Sequence, residues 1–251
     1  MACGSAPPRS PALPYAFAHP AAVVPVAKLL GRRAVPSALA IGSMIPDAWY
    51  LVPGLERGHS HGPLGLLWFC LPAGLVVYLA FHLLFKQPML ALLPDSIAVR
   101  LSGRTARGLP PRPWLWVLLS LLAGAGTHLL WDALTHEDGV ALVNASVMGV
   151  HLHRVLQHAS TIAGTAFLGW WIARKLRTAQ AQAAVPRLDR RVRAAVVAVL
   201  FVVPWCVFAS VLLAFDPQSL RAALRAAGVT AFSTFGLIAL VYSIAWRRWG
   251  L

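Results

Sequence analysis

The sequence predicts an all-α, polytopic membrane helical bundle, and three observations carry that expectation. The 251-residue chain is 58% hydrophobic and only 12% charged, about half the charged share of an ordinary soluble domain. Several uncharged runs reach the roughly 20 apolar residues that a bilayer-crossing helix needs. The positive charges, 22 Lys and Arg against 8 Asp and Glu, gather in short segments between those runs. That pattern sets orientation in a membrane, and no basic helix with interleaved aromatics points to nucleic acid.

Residues 1–14, MACGSAPPRSPALP, lack a long apolar core, so they read as a disordered lead-in or an overlong start and not as a cleaved signal peptide. One membrane-embedded domain covers 15–246. Its opening segment, 15–63, is apolar but broken by Pro20, Pro25, Pro36 and Pro46, which suits interfacial or re-entrant helices. About five spans come next, near 64–85, 114–135, 155–173, 195–215 and 229–246, before a cytoplasmic tail at 247–251. Trp114, Trp170, Trp171, Trp246 and Trp249 fall near span ends, as an interfacial aromatic belt requires. Cys3, Cys70 and Cys206 form neither a disulfide framework nor a CxxC pair.

Loop charge predicts the orientation. The segments after the first and third spans and the C-terminus hold fourteen of the 22 positive residues, and the other two loops hold only Arg154, Arg221 and Arg225. The basic loops belong in the cytoplasm and the N-terminal segment outside, in a bacterial inner-membrane arrangement.

Few polar residues interrupt this apolar chain, and they recur in a pattern. His128, Asp132 and His136 stand four residues apart in GTHLLWDALTHEDG, one stripe of one helix. His19 lies in FAHPAA, Asp47 in GSMIPDAWY, His59 and His61 in RGHSHGPLG, and His151, His153 and His158 in HLHRVLQHAS. On the predicted topology Asp132, His136, His61 and His158 fall at the same outer face as the N-terminal segment. Imidazole and carboxylate gathered there suit a divalent ion, with zinc first and manganese or iron as alternatives. Plainer roles stand beside that one. Asp47 after Pro46 suits a helix cap, and His128 with Asp132 suits an interhelical hydrogen-bonded pair. His82 near Lys86 reads as interfacial, His151 and His153 as solvated or ancillary, and Glu137 and Asp138 as solvated loop acids.

The motifs YAFAHPAAVVPV, ALAIGSMIPDAWYL, SHGPLG, QPMLALLP, GTHLLWDALTH and RVLQHASTIAG together resemble an uncharacterised bacterial membrane family, domain of unknown function 4184. That family is similar to inner-membrane metal-dependent hydrolases, and distantly to zinc-dependent phospholipase C and the zinc single-strand nucleases. The resemblance implies a phospholipase-C-like helical metal-site core with ligands in the order His19, Asp47, His61, His128 with Asp132, and His136, with His158 following. The closing His-x-x-x-Glu of the soluble enzymes is absent, since Ile162 follows His158 and Gln157 follows His153 at that spacing. One or two ions are therefore implied, not three. Asp47 stands where those enzymes place a metal-contacting acid, and so serves as general base or as a plain ligand.

The expected function is metal-assisted hydrolysis of a phosphoester, lipid or lipid-linked, at the outer face of the membrane. The alternative is a non-enzymatic metal-binding or ion-transporting membrane protein. A third reading makes the His and Asp residues mere hydrogen-bonding partners between helices.

Overall fold

The computed structural model describes residues 16–102, 108–137, 139, 145–147, 150–180, 188–214 and 220–249. The lead-in expected at 1–14, Asp138 and the last two residues of the expected tail lie outside them. A 3-10 helix at Ala16–Ala21 leads into α1 (Val23–Leu30), and α2 (Pro36–Gly42) is followed by a 3-10 helix at Ile45–Leu51 and the single turn α3 (Arg57–Ser60). The long helices are α4 (Pro63–Leu92), α6 (Trp114–Thr135), α7 (Leu152–Thr178), α8 (Arg190–Ala214) and α9 (Leu220–Trp249), with the short α5 (Asp95–Ser102) after α4. Among the described residues the only strands, Ser146–Val147 and Val150–His151, pair as a minimal antiparallel hairpin.

Four of these helices, α4, α6, α8 and α9, are long and apolar enough to cross a membrane. Their outward faces are greasy, with Leu64, Trp68, Val76, Trp205, Leu213 and Leu237 all more than half exposed. Side chains of this kind are stable facing lipid and costly facing water. Of the about five spans expected, four coincide with helices that meet these criteria among the described residues. The run at 155–173 lies inside α7, but its first turns carry His153, Arg154, Gln157, His158, Ser160 and Thr161, which dilute it. α7 still runs the length of the bundle: Gln157 meets His136 at one end, and the Leu176 carbonyl accepts from Arg100 at the other.

Proline shapes α4. Two π-helical turns, Leu66–Cys70 and Phe81–Phe85, sit just before Pro72 and Pro88. A proline ring has no N–H and collides with the carbonyl four residues back, Trp68 and Leu84 here. A local i→i+5 turn relieves that collision without ending the helix.

The N-terminal segment forms a helical hairpin against α6. It starts beside His128, where His19 stacks on that ring at 3.9 Å. α1 then descends to Gly31–Arg33, where the Arg32 carbonyl accepts from Arg112 at 2.8 Å and Arg33 lies over the Trp116 ring. α2 returns along α6, with the Val35 amide donating to Ser120 Oγ at 3.1 Å and the Ser43 carbonyl arriving beside His128. The approach depends on glycine. A Cβ on Gly124 would strike the Leu39 carbonyl, and one on Gly42 the Leu121 carbonyl, so small residues let the two backbones touch. Val35, Ala38, Tyr78, Val117 and Leu121 fill the core below that crossing.

The hairpin also gives His82 a partner within the protein: this residue is buried, and its Nε2 lies 2.9 Å from Ser37 Oγ of α2. The basic segments gather at the far end from His128: Arg193 pairs with Asp95 at 3.1 Å, close to the Arg100 contact with Leu176.

Candidate metal centre

The site sits where the stripe on α6 meets the hairpin and the start of α4. Ser120, Gly124, His128, Asp132 and His136 follow one another at four-residue spacing, so the face that packs against α2 becomes, one turn on, the face that carries donors. His128 is fully buried. Its Nδ1 lies 2.8 Å from the Ser43 carbonyl, which only accepts, so Nδ1 carries the hydrogen and the Nε2 lone pair is left to face the site. That carbonyl is available because Ser43 caps the end of α2, where helix carbonyls lack an intrahelical partner.

His61 is oriented in a similar way. Ser60 Oγ donates to the Arg57 carbonyl at 3.2 Å and stands 2.8 Å from His61 Nδ1. With its hydrogen so used, the hydroxyl accepts from Nδ1, and His61 Nε2 turns to the carboxylates. His19 comes from the first 3-10 helix, packed between the His128 ring and the edge of Trp131. Asp47 comes from the 3-10 helix after α2.

The donor atoms converge. Asp132 Oδ2 lies 3.3 Å from His61 Nε2 and 3.5 Å from His128 Nε2, and Asp132 Oδ1 lies 3.7 Å from His19 Nε2. Asp47 Oδ1 is 3.7 Å from His61 Nε2 and 3.6 Å from His128 Nε2. These separations exceed hydrogen bonds, but they match the edge of about 3.3 Å of a tetrahedron whose metal–ligand bonds are about 2.0–2.1 Å. Among the described residues two groupings have all their donor atoms within 4.8 Å of one another: His19, His128 and Asp132, and Asp47, His61 and His128. Both use His128, and one imidazole lone pair serves one ion. They would therefore hold a single ion, or two ions of which only one is served by His128.

A second observation fits an ion. His19 Nδ1, His61 Nε2, His128 Nε2 and Asp132 Oδ1 are buried without a hydrogen-bond partner, a grouping that native interiors avoid unless something else satisfies it. Burial, with the stacked His128 adding to it, pushes the His19 imidazole down to about 3, so the ring stays neutral, the form that ligates. Burial also raises the Asp47 carboxyl above the ordinary carboxylate range.

The remaining predicted residues fall into place around this core. His136 caps the end of α6 with Nδ1 3.3 Å from Asp132 Oδ1 and Nε2 3.1 Å from Gln157 Nε2. Its Nδ1 donates to Thr135 Oγ1 at 3.1 Å and its Nε2 is taken by Gln157, so both nitrogens have partners and His136 stands outside the two ligand groupings. His158 lies on the exposed side of α7, one residue past the inward-facing Gln157, and the structure does not bring it to the cluster. His59 serves locally, its Nδ1 accepting from the Glu56 amide at 3.1 Å as half of a capping box. His151 and Glu137 are exposed as expected, whereas His153 is buried at the start of α7 with its ring stacked on His151.

Two site residues escape the sequence reading. Arg57, the only Lys or Arg between Arg33 and Lys86, hydrogen-bonds Asp132 Oδ2 from the partly open side of the site. Gln157 holds His136, and its four-residue spacing from His153 is the one signal that marks it. No curated protein and no solved structure matches this chain. One family model does match, over residues 13–244, and the chain belongs to the family described as Domain of unknown function (DUF4184).

Proposed function

We propose that this protein is a membrane-embedded, metal-dependent hydrolase acting on a phosphoester, lipid or lipid-linked, at the extracytoplasmic face. The observation that supports this reading is the convergence of His19, Asp47, His61, His128 and Asp132, from four separate segments, on one partner-poor pocket. A divalent ion held there, zinc first and manganese or iron as alternatives, supplies Lewis-acid charge stabilisation and a lowered pKa for a bound water. The chain's own groups do the rest. His19, His61, His128 and Asp132 hold the position, and Ser43 and Ser60 aim two of the imidazoles. Asp47 Oδ1 faces those imidazoles, while its raised carboxyl and 15% side-chain exposure suit its second oxygen to take a proton from an attacking water. The basic segments at the opposite end favour the cytoplasm for that end, which leaves the site outside, beside lipid headgroups.

Gathering at one end also favours hydrolysis over conduction, which needs polar groups spread through the membrane depth. Elemental analysis of the detergent-purified protein tests the reading: roughly one to two equivalents of zinc or manganese are expected. Asp132→Ala loses the metal and His82→Ala keeps it. A screen of generic phosphodiesters and phospholipids then reads turnover. Metal without any turnover would put the non-enzymatic metal-binding protein in front, and no metal at all would remove both.

A further inference from the structure

We propose that Arg57 is the phosphoryl-recognition residue of this site, held on Asp132 until an ion takes its place. The inference rests on the metal-centred reading above and adds the substrate's recognised group to it.

Arg57 begins the single turn that also presents Ser60, next to His61. Its Nη2 donates to Asp132 Oδ2, the same oxygen that lies closest to His61 Nε2 and His128 Nε2. The guanidinium therefore occupies the edge of the ligand set that an ion would share, and the two cations compete for one carboxylate oxygen. Charge balance settles that competition. The pocket holds two carboxylates, Asp47 and Asp132, and one divalent ion neutralises both. Arg57 is then left as a cation whose acidic partner has been taken. It is 28% exposed at the side chain, so it sits at the mouth and not in the core.

A guanidinium there has the fork geometry that pairs with two oxygens of a phosphoryl group, which an ammonium lacks. Tyr50 follows Asp47 on the same 3-10 helix, where burial and the Asp47 and Asp132 carboxylates push its hydroxyl up to about 12 and Arg57 and Arg225 of α9 act the other way. The ligand chemistry is a phosphoryl group with at least one negative charge, whether on a lipid headgroup or free.

The test uses full-length protein in detergent, with Arg57→Gln and Arg57→Lys beside wild type. Zinc affinity is measured by competition with a chelating dye, and anion affinity of the zinc-loaded protein by calorimetry with inorganic phosphate and with a short-chain phosphatidate. Arg57→Gln should bind zinc at least about threefold more tightly, because a competing positive charge has gone. It should bind phosphate at least about tenfold more weakly, because the charge-assisted pair has gone. Arg57→Lys should fall between the two for phosphate. An Arg57-dependent preference for phosphatidate marks the headgroup as the source, and equal binding marks free phosphate. A fall in both affinities in Arg57→Gln makes the residue a structural counterion and overturns the proposal, as does unchanged phosphate binding. Wild type that takes no zinc refutes the metal-centred reading itself, a different result from zinc binding with an idle Arg57.

Discussion

Replacing Gly124 with alanine should damage the centre without touching a donor atom. The added Cβ would meet the Leu39 carbonyl, the Ser43 amide and the Gly42 carbonyl carbon, all backbone. None of these yields as a flexible side chain would, so α2 must retreat from α6. Overpacking of this kind costs about 1–3 kcal/mol. The retreat also pulls the Ser43 carbonyl from His128 Nδ1, a bond of 2.8 Å, adding about 1 kcal/mol. Alanine's better helix propensity gives back about 1 kcal/mol, so the expected loss of stability is about 1–3 kcal/mol. Loss of the group that orients a ligand should also weaken metal binding by about 10–100-fold. Unfolding by SDS titration in mixed micelles, followed by circular dichroism, reads the first quantity, and zinc competition reads the second. Gly126→Ala supplies the control in the same helix: nothing lies within 4 Å of its added Cβ, so only helix propensity acts, favouring alanine by about 0.8–1.0 kcal/mol. Equal behaviour of the two variants would refute the claim that close contact between α2 and α6 builds the site.

Three further outcomes come from the same geometry. His136→Ala should keep the metal, with zinc affinity falling far less than in Asp132→Ala, because His136 stands outside both ligand groupings, while His158→Ala should match wild type in the same zinc competition. Ser60→Ala should weaken zinc binding and Cys206→Ala should not, since Ser60 holds the His61 ring and Cys206 is exposed. The metal-free protein should lose stability as pH falls below about 6.5, because His19 is pushed from 6.5 down to about 3 in the folded state. The unfolded chain then binds the extra proton between those values, which favours unfolding. His19→Gln should flatten that part of the stability–pH curve, and an unchanged slope would contradict the burial of a neutral ring.

What was legible in the sequence is what local spacing records. The span at 114–135 coincides with α6, and the stripe of His128, Asp132 and His136 shares one face because four residues make about one turn. The ligand candidates His19, Asp47 and His61 were also legible, since polar residues are scarce in so apolar a chain. What spacing does not record is which surface lies opposite. For His82, local spacing does not show the Ser37 hydroxyl that the hairpin places against it. His158 looked equivalent to other histidines, but one residue turns it about 100° from Gln157, away from the site. Arg57 carries no signal of its own, because nothing local says that a carboxylate 75 residues away will meet it.

The broken N-terminal segment looks like a defect in a membrane chain and works as the opposite. A continuous span would satisfy its own carbonyls through i→i+4 bonds and have none to offer a neighbour. Here α2 ends at Gly42, and Pro46 has no N–H with which to bond the Gly42 carbonyl. The next amide, at Asp47, bonds the Met44 carbonyl instead of Ser43. Ser43 is thereby left with a free acceptor at the depth of His128, and the imidazole takes it. The same interruption turns the chain so that Asp47 faces the pocket and does not continue a helix face. The prolines that break this segment thus produce two of the site's features, an aimed His128 and an inward Asp47, at a place where regular helix supplies neither.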